Sequence, residues 1–307
     1  MTEVDLSHPP RVLIAGATGY LGKFVAQEFK RRGYWVRVLT RSVERLEEPG
    51  PFTAPAINRN EVDDVFIGEV TKPETLEGLM DGIDIVYSSV GISRQRDGLT
   101  FEQVDYQGNR NLIDLCERAD VKKFVYVSMQ GAENILNLAI TDTHERVVKD
   151  LQASSMDHSI DYAIVRPCGF FSDMGMTLDM AKKGRVYLVG DGNNKMSPIH
   201  GADIAIVCAD AAEGDVHEVE AGGPDIMTQR ESAELAFELL GKPVKITVIP
   251  IWLARLLVKF VYLLSKQFGD LADFIVTAGE IDGVGPPLGK RDLKSYFENL
   301  LAEKENP

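Results

Sequence analysis

Three glycines, Gly16, Gly19 and Gly22, stand at G-x-x-G-x-x-G spacing between a short apolar run, RVLIA, and a stretch of helical periodicity over residues 20–32. The pattern predicts a strand that turns abruptly into a helix. Gly16 permits the tight turn, Gly19 lets a ligand approach the backbone, and Gly22 lets helix and strand pack closely. Leu21, Phe24, Val25 and Phe29 give the helix one mostly apolar face. Gly33 ends it.

The alternation then continues. Residues 35–40 (WVRVLT) read as a second strand, and residues 43–62, with three prolines and little periodicity, as an irregular surface excursion. Residues 64–69 predict a third strand and 73–80 a helix with proline in its first turn. A fourth strand over 84–90, a long helix over 101–119 and a fifth strand over 123–128 follow. A helix over 143–153 and a strand over 162–166 complete six strands. Each strand is apolar almost throughout, as a parallel sheet covered on both faces requires. The fold class is therefore α/β, a doubly wound parallel Rossmann sheet over 11–167. Residues 168–307 break into shorter pieces and predict a smaller C-terminal α/β lobe, mostly helical at its end; residues 1–10 read as a flexible tail. The shorter pieces are strands over 185–189, 217–221 and 245–249, and helices over 202–212, 229–240 and 290–301.

A glycine loop between a first strand and its helix presents backbone N–H groups and the positive end of a helix dipole to phosphate. That points to a dinucleotide. An NAD site usually carries Asp or Glu at the end of the second strand to hold the ribose hydroxyls. Here the place reads Leu39-Thr40-Arg41-Ser42, without an acid. Arg41 suits a 2′-phosphate, with Ser42 as a further donor and Arg45 nearby, so NADP(H) is expected over NAD(H).

Three further motifs stand in order: Val86-Tyr87-Ser88-Ser89-Val90-Gly91, Val104-Asp105-Tyr106-Gln107-Gly108-Asn109, and Arg166-Pro167-Cys168-Gly169-Phe170-Phe171. With the glycine loop and Arg41, they make residues 11–210 resemble the atypical short-chain dehydrogenase/reductases of the NmrA-like NAD(P)-binding family. The resemblance implies that Gly16, Thr18, Gly19, Tyr20, Leu21 and Gly22 line the diphosphate. It implies Arg41 on the adenosine phosphate, with Glu69 and Val70 by the adenine. Ser88, Ser89 and Val90 would border the nicotinamide-side ribose, and Pro167, Gly169 and Phe170 would close over the nicotinamide. Each has a structural alternative: residues 88–91 as a plain strand end, Phe170 and Phe171 as lobe core.

The likeness breaks at the chemistry. Reductases of this superfamily usually protonate substrate from a tyrosine four residues before a lysine, beside a serine at the end of strand five. Ser128 holds the serine's place, or caps the strand. Residues 135–155 contain no tyrosine; His144 falls where the lysine is expected and Ile140 where the tyrosine would be. His144 is the replacement donor to test first, its ordinary pKa being near neutrality, against the plainer reading of a helix-surface histidine. His200 is a second candidate, or with Ser197 and Asp203 caps the next helix. The expected function is reduction of a small conjugated or quinone-like substrate, because such a substrate takes hydride to give a delocalised anion that water can protonate. The alternatives are a non-catalytic NADP(H) redox sensor, or a cofactor-bound assembly subunit docking through an amphipathic helix over 251–268, on a protein or a membrane surface.

Composition excludes other classes. A net charge of −14 opposes nucleic acid and anionic membrane. Cys116, Cys168 and Cys208 are too few and scattered for a disulfide framework or a zinc site, so no metal is expected. No apolar run reaches the roughly 18 residues of a spanning helix, and residues 1–10 lack a signal peptide's apolar segment. A cytoplasmic location is the default expectation.

Overall fold

The computed structural model describes residues 9–50, 54–92, 98–158 and 160–302. The expected tail, apart from Pro9 and Pro10, falls outside them. The described residues group into two compact units, each built from three segments: 1–127, 146–165 and 205–219 in the first, and 128–145, 166–204 and 220–307 in the second. The sequence suggested one cut after residue 167; the units instead interleave. Residues 205–219 belong with the first because Arg32 pairs with Asp210 and Glu213 at 2.6 and 2.7 Å.

In the first unit, β1 (Arg11–Ala15) leads into α1 (Tyr20–Arg31), β2 (Trp35–Thr40) and a short α2 (Val43–Glu47). Then come β3 (Asp64–Ile67), β4 (Ile85–Ser88), α3 (Asn109–Glu117) and β5 (Lys123–Val127). The chain passes along α4 (Ala139–His158), returns through β6 (Asp161–Pro167), and later supplies most of α6 (Gly201–Glu213) and the start of β9 (Glu218–Ala221). The sheet order is β3-β2-β1-β4-β5-β6-β9, with β1 to β6 parallel. Strand order reverses between β1 and β4, and the crevice at such a switch point is where an open α/β sheet holds its ligand. The seventh strand, β9, was expected over 217–221 but in the C-terminal lobe; it joins the central sheet instead. Val12, Leu13, Ile14, Val86, Phe124 and Ile164 are fully buried, as strands covered on both faces must be.

Local departures have local causes. Residues 43–62 are not wholly irregular: α2 forms, and Leu46, Ala54 and Ile57 are buried beneath the surface; residues 51–53 lie outside the described set. Pro73–Thr75 makes only a single 3₁₀ turn, not a helix. The expected helix over 101–119 begins as a π-helical stretch, Glu102–Gly108, before α3. Asp105 and Asn109, four residues apart, both face the interior.

The second unit holds α5 (Phe171–Lys182), β7 (Val186–Val189), β8 (Lys195–Met196), β10 (Met227–Thr228), α7 (Gln229–Leu239) and β11 (Ile246–Ile249). β7 pairs with β11 in parallel and β8 with β10 antiparallel. The apolar stretch after β11 is two helices, α8 (Ile251–Leu264) and α9 (Lys266–Ala278), because Ser265 leaves helical geometry and caps the second. α10 (Leu293–Ala302) closes the described chain. No helix among the described residues is long and apolar enough to cross a membrane.

The β1–α1 junction gives a direct test. A Cβ at Gly22 would lie 2.1 Å from the Gly16 carbonyl oxygen, whereas at Gly33 (φ +86°) a Cβ would meet nothing. Gly22→Ala should cost about 3 kcal/mol and Gly33→Ala about 1. Urea midpoints check this, and equal costs would overturn the close-packing account.

Candidate functional site

A cleft in the first unit opens over the carboxyl ends of β1, β2, β3 and β4. Gly16 adopts φ +87°, and its carbonyl accepts the Gly19 N–H at 3.0 Å, closing the turn. α1 starts at Gly19 with no side-chain cap and no acid in its first turn. A helix beginning this way turns backbone donors and a positive dipole end toward whatever approaches. A Cβ on Gly16 would lie 2.9 Å from the Ser89 hydroxyl and 3.0 Å from its carbonyl oxygen, so the β1 turn sits against the residue after β4 with no room for a side chain on Gly16. Such a cradle fits a diphosphate.

The second strand delivers Arg41 to the same cleft. The Thr40 hydroxyl donates to the Ser42 carbonyl at 2.6 Å and accepts the Ser42 N–H at 3.0 Å. This small turn throws the intervening Arg41 outward to the cleft wall, where it is exposed. Ser42 caps α2 and its hydroxyl donates to Glu44 at 2.5 Å. An acid therefore stands two residues beyond the expected position, engaged by Ser42. Across the cleft, Glu69 pairs with Lys72 at 2.8 Å and accepts from Thr71 at 2.9 Å. Those bonds, Lys72's above all, hold its carboxyl below the usual range.

Beneath the wall lies a buried polar layer. Ser88 is fully buried and donates to Asn109 at 2.5 Å; Asn109 in turn donates to the Val90 and Asp105 carbonyls. The Ile92 N–H donates to Asp105 at 3.0 Å, and Asn111 donates to the Val70 carbonyl at 2.7 Å. These bonds anchor the loop after β4 and the turn after β3 to one helix.

Of the residues expected at the site, the cleft gathers Gly16, Thr18, Gly19, Arg41, Glu69, Val70, Ser89 and Val90. Tyr20, Leu21 and Gly22 lie in the helix start behind it, and Ser42 is turned to Glu44. Ser88 is a correction: its hydroxyl is spent inward on Asn109 and does not face the cleft. Pro167, Gly169 and Phe170 belong to the second unit, where Gly169 adopts φ +105° and Phe170 precedes α5. The cleft also contains Leu39, Gly68, Thr71 and Gly91. A signal for its supports was present in Asp105 and Asn109, polar residues at helical spacing with the apolar Leu112, Ile113 and Cys116.

The candidate catalytic residues fall in the second unit. Ser128 is 4% exposed; its hydroxyl donates to Glu145 and accepts from Arg166, both at 3.2 Å. Arg166 and Glu145 form a buried two-pronged pair at 2.5 and 3.1 Å. His144 stands beside Glu145 on α4, and burial, with the Arg166 charge, pulls its pKa down to about 4. The ring is therefore neutral at pH 7. Ile140 is buried and apolar. The His200 ring accepts the Ala202 N–H at 3.0 Å and packs against Phe171 and Tyr296, a helix-capping arrangement. Among the described residues no group of His, Cys, Asp and Glu is arranged to hold a metal.

The strand order, the glycine turn and the cleft at the switch point define a dinucleotide-binding protein. Residues 16–215 match the profile of the NAD(P)H-binding family, and the chain belongs to it. It is 28% identical to divinyl chlorophyllide a 8-vinyl-reductase, chloroplastic, of Arabidopsis thaliana, over 95% of this chain and 77% of that one. It is 29% identical to photosystem II assembly factor Ycf39 of Trieres chinensis, over 80% and 74%. Among solved structures, NADPH-dependent quinone oxidoreductase QOR2 of Escherichia coli, complexed with NADPH, superposes with a TM-score of 0.69 at 20% identity, covering 94% of this chain and 99% of that one. A Staphylococcus aureus nucleoside-diphosphate-sugar epimerase reaches 0.73 at 18%, with the same coverage. At these identities the structural likeness speaks for the fold.

Asp105 supplies a pH test. Burial raises its pKa to about 7. The folded chain then holds a proton that the unfolded chain releases above about pH 4. Asp105's own contribution to stability therefore falls as pH rises from about 4 to 7. Asp105→Asn, which keeps an acceptor for the Ile92 N–H, should flatten that fall. Denaturation midpoints across this range check it, and an unchanged slope would refute the assignment.

Proposed function

We propose that the chain is an NADP(H)-dependent reductase of the atypical short-chain type, acting on a small substrate with a conjugated C=C or quinone-like group. The observation that carries the cofactor choice is Arg41, held at the cleft wall by the Thr40 turn where an NAD site would keep an acid. Since Ser42 is occupied by Glu44, the discrimination rests on the guanidinium. The α1 end and the glycine turn hold the diphosphate, and Glu69 and Val70 flank the adenine. Following the resemblance, Ser89 and Val90 border the nicotinamide-side ribose.

The bound cofactor supplies a hydride. In this chain no tyrosine stands four residues before His144 to complete the reaction with a proton. That favours a substrate in which one carbon of a conjugated bond accepts the hydride and the displaced electron pair delocalises. The resulting anion then takes its proton from water. Two relatives' names agree in kind, one reducing a vinyl group and one a quinone. We assign Ser128 to holding the Glu145–Arg166 pair, and His144, the first replacement donor to test, is the alternative to water as proton source. A reducing, cytoplasmic compartment belongs to the same reading, supported by three unbridged thiols.

A second reading, an assembly subunit, is favoured by α8, whose Trp252, Phe260, Leu263 and Leu264 are 57–88% exposed. The likeness to an assembly factor agrees with it.

NADPH absorbance followed against enones, quinones and vinyl-bearing tetrapyrroles tests the first reading. Turnover is expected with at least one class. Tight binding without turnover on the whole panel would shift the conclusion to the second, for which Leu256→Ser with Phe260→Ser should abolish capture of a partner. Arg41→Ala should raise KM for NADPH about tenfold and for NADH less than about twofold; equal changes would defeat the cofactor choice. His144→Ala with full activity would remove that side chain from the chemistry.

A further inference from the structure

Lys23 follows the glycine turn directly, and its side chain is completely buried. Its ammonium donates to three backbone carbonyls, Arg45 at 3.1 Å, Leu46 at 2.7 Å and Glu48 at 2.7 Å. Three N–H donors meet three acceptors, so the cation is satisfied. The acceptors are the carbonyls at the end of α2, where unpaired carbonyls and the negative dipole end favour a cation.

α2 has five residues, too few to persist through its own hydrogen bonding. It begins two residues after Arg41 and carries Arg45. Its near end is tied by Ser42, and Leu46 is buried under it. Its far end is tied by Lys23 and by the Ile57 N–H, which shares the Leu46 carbonyl. The lysine stem runs beneath Gly50, where a Cβ would come within 3.1 Å of Lys23 Cδ and 2.6 Å of Ala54 Cβ. Burial draws the lysine pKa down, opposed by the Glu48 charge. A buried cation is costly, and a methionine would fill the same volume without that cost. Packing alone does not call for an ammonium here.

We propose that Lys23 is a positioning residue for cofactor specificity: it clamps the segment carrying Arg41 and Arg45 to the helix that cradles the diphosphate, and so fixes the guanidinium against the 2′-phosphate of NADP(H). The inference rests on the NADP(H) reading above. Lys23 touches no part of the cofactor itself; it acts through the loop. Loosening that loop weakens contacts to the 2′-phosphate and spares those to the diphosphate, which NADH shares.

The experiment is calorimetric titration of the whole chain with NADPH and with NADH, for the wild type, Lys23→Met, Arg41→Ala and the double variant. Lys23→Met should weaken NADPH about tenfold and NADH less than about twofold. The double variant should match Arg41→Ala alone, since the lysine works through the arginine. Parallel loss of both cofactors, or no loss of either, would overturn the positioning role and leave a structural staple. Should Lys23→Met fail to fold, Lys23→Gln, equally uncharged but keeping two donors, is read in the same way. Arg41→Ala separates the two levels: if it does not alter the NADPH-to-NADH ratio, the NADP(H) reading fails; if it does and the lysine variants do not, only this inference fails.

Discussion

The cleft exists because Gly22 has no side chain. With hydrogen in place of Cβ, the first turn of α1 lies against the Gly16 carbonyl, at a distance where any side-chain carbon would collide. That contact sets the angle at which the helix leaves β1, and so directs its uncapped amide end into the crevice. Gly16 likewise has no room for a Cβ, which would lie 2.9 Å from the Ser89 hydroxyl and 3.0 Å from its carbonyl oxygen. Without a side chain on Gly16 or Gly22, two elements of the sheet and one helix meet closely, and a diphosphate has room at the meeting point.

Around this junction, buried polar groups supply the rigidity that apolar packing cannot direct. Asn109 and Asn111 reach from one helix to the loop after β4 and the turn after β3. Lys23 reaches from α1 to the end of α2. Hydrogen bonds fix direction as well as distance, and leaving such a partner unsatisfied in the interior is costly. In the second unit the Arg166–Glu145–Ser128 cluster is an equally closed arrangement. A hydroxyl already donating to a carboxylate and accepting from a guanidinium is held in place.

Much of this was legible in the residues. The strand-helix alternation, the glycine spacing and the acid-free end of β2 each depend on neighbours in sequence, so their consequences could be read directly. Less legible were features requiring distant partners. Residues 43–62 looked irregular because α2 is stabilised by Lys23 and buried through Leu46, neither of which leaves a local periodicity. The 251–268 stretch looked continuous because its apolar spacing runs through Ser265, whose break is a backbone event. Ser88 looked like a cleft residue because a strand's end faces the crevice in general, while the partner that turned it inward stands twenty-one residues away.

The sequence by itself therefore determined the parallel α/β class, the position of the phosphate turn and the charge offered at the end of β2. All three follow from backbone sterics and local spacing. Tertiary structure alone decided which polar side chains face the cleft and which are consumed beneath it. It also lowered the pKa of His144, through burial and a guanidinium twenty-two residues along the chain. The physical reason is common to both: a side chain's hydrogen bonds and its charge depend on the groups packed around it, and those are brought together only when the chain folds.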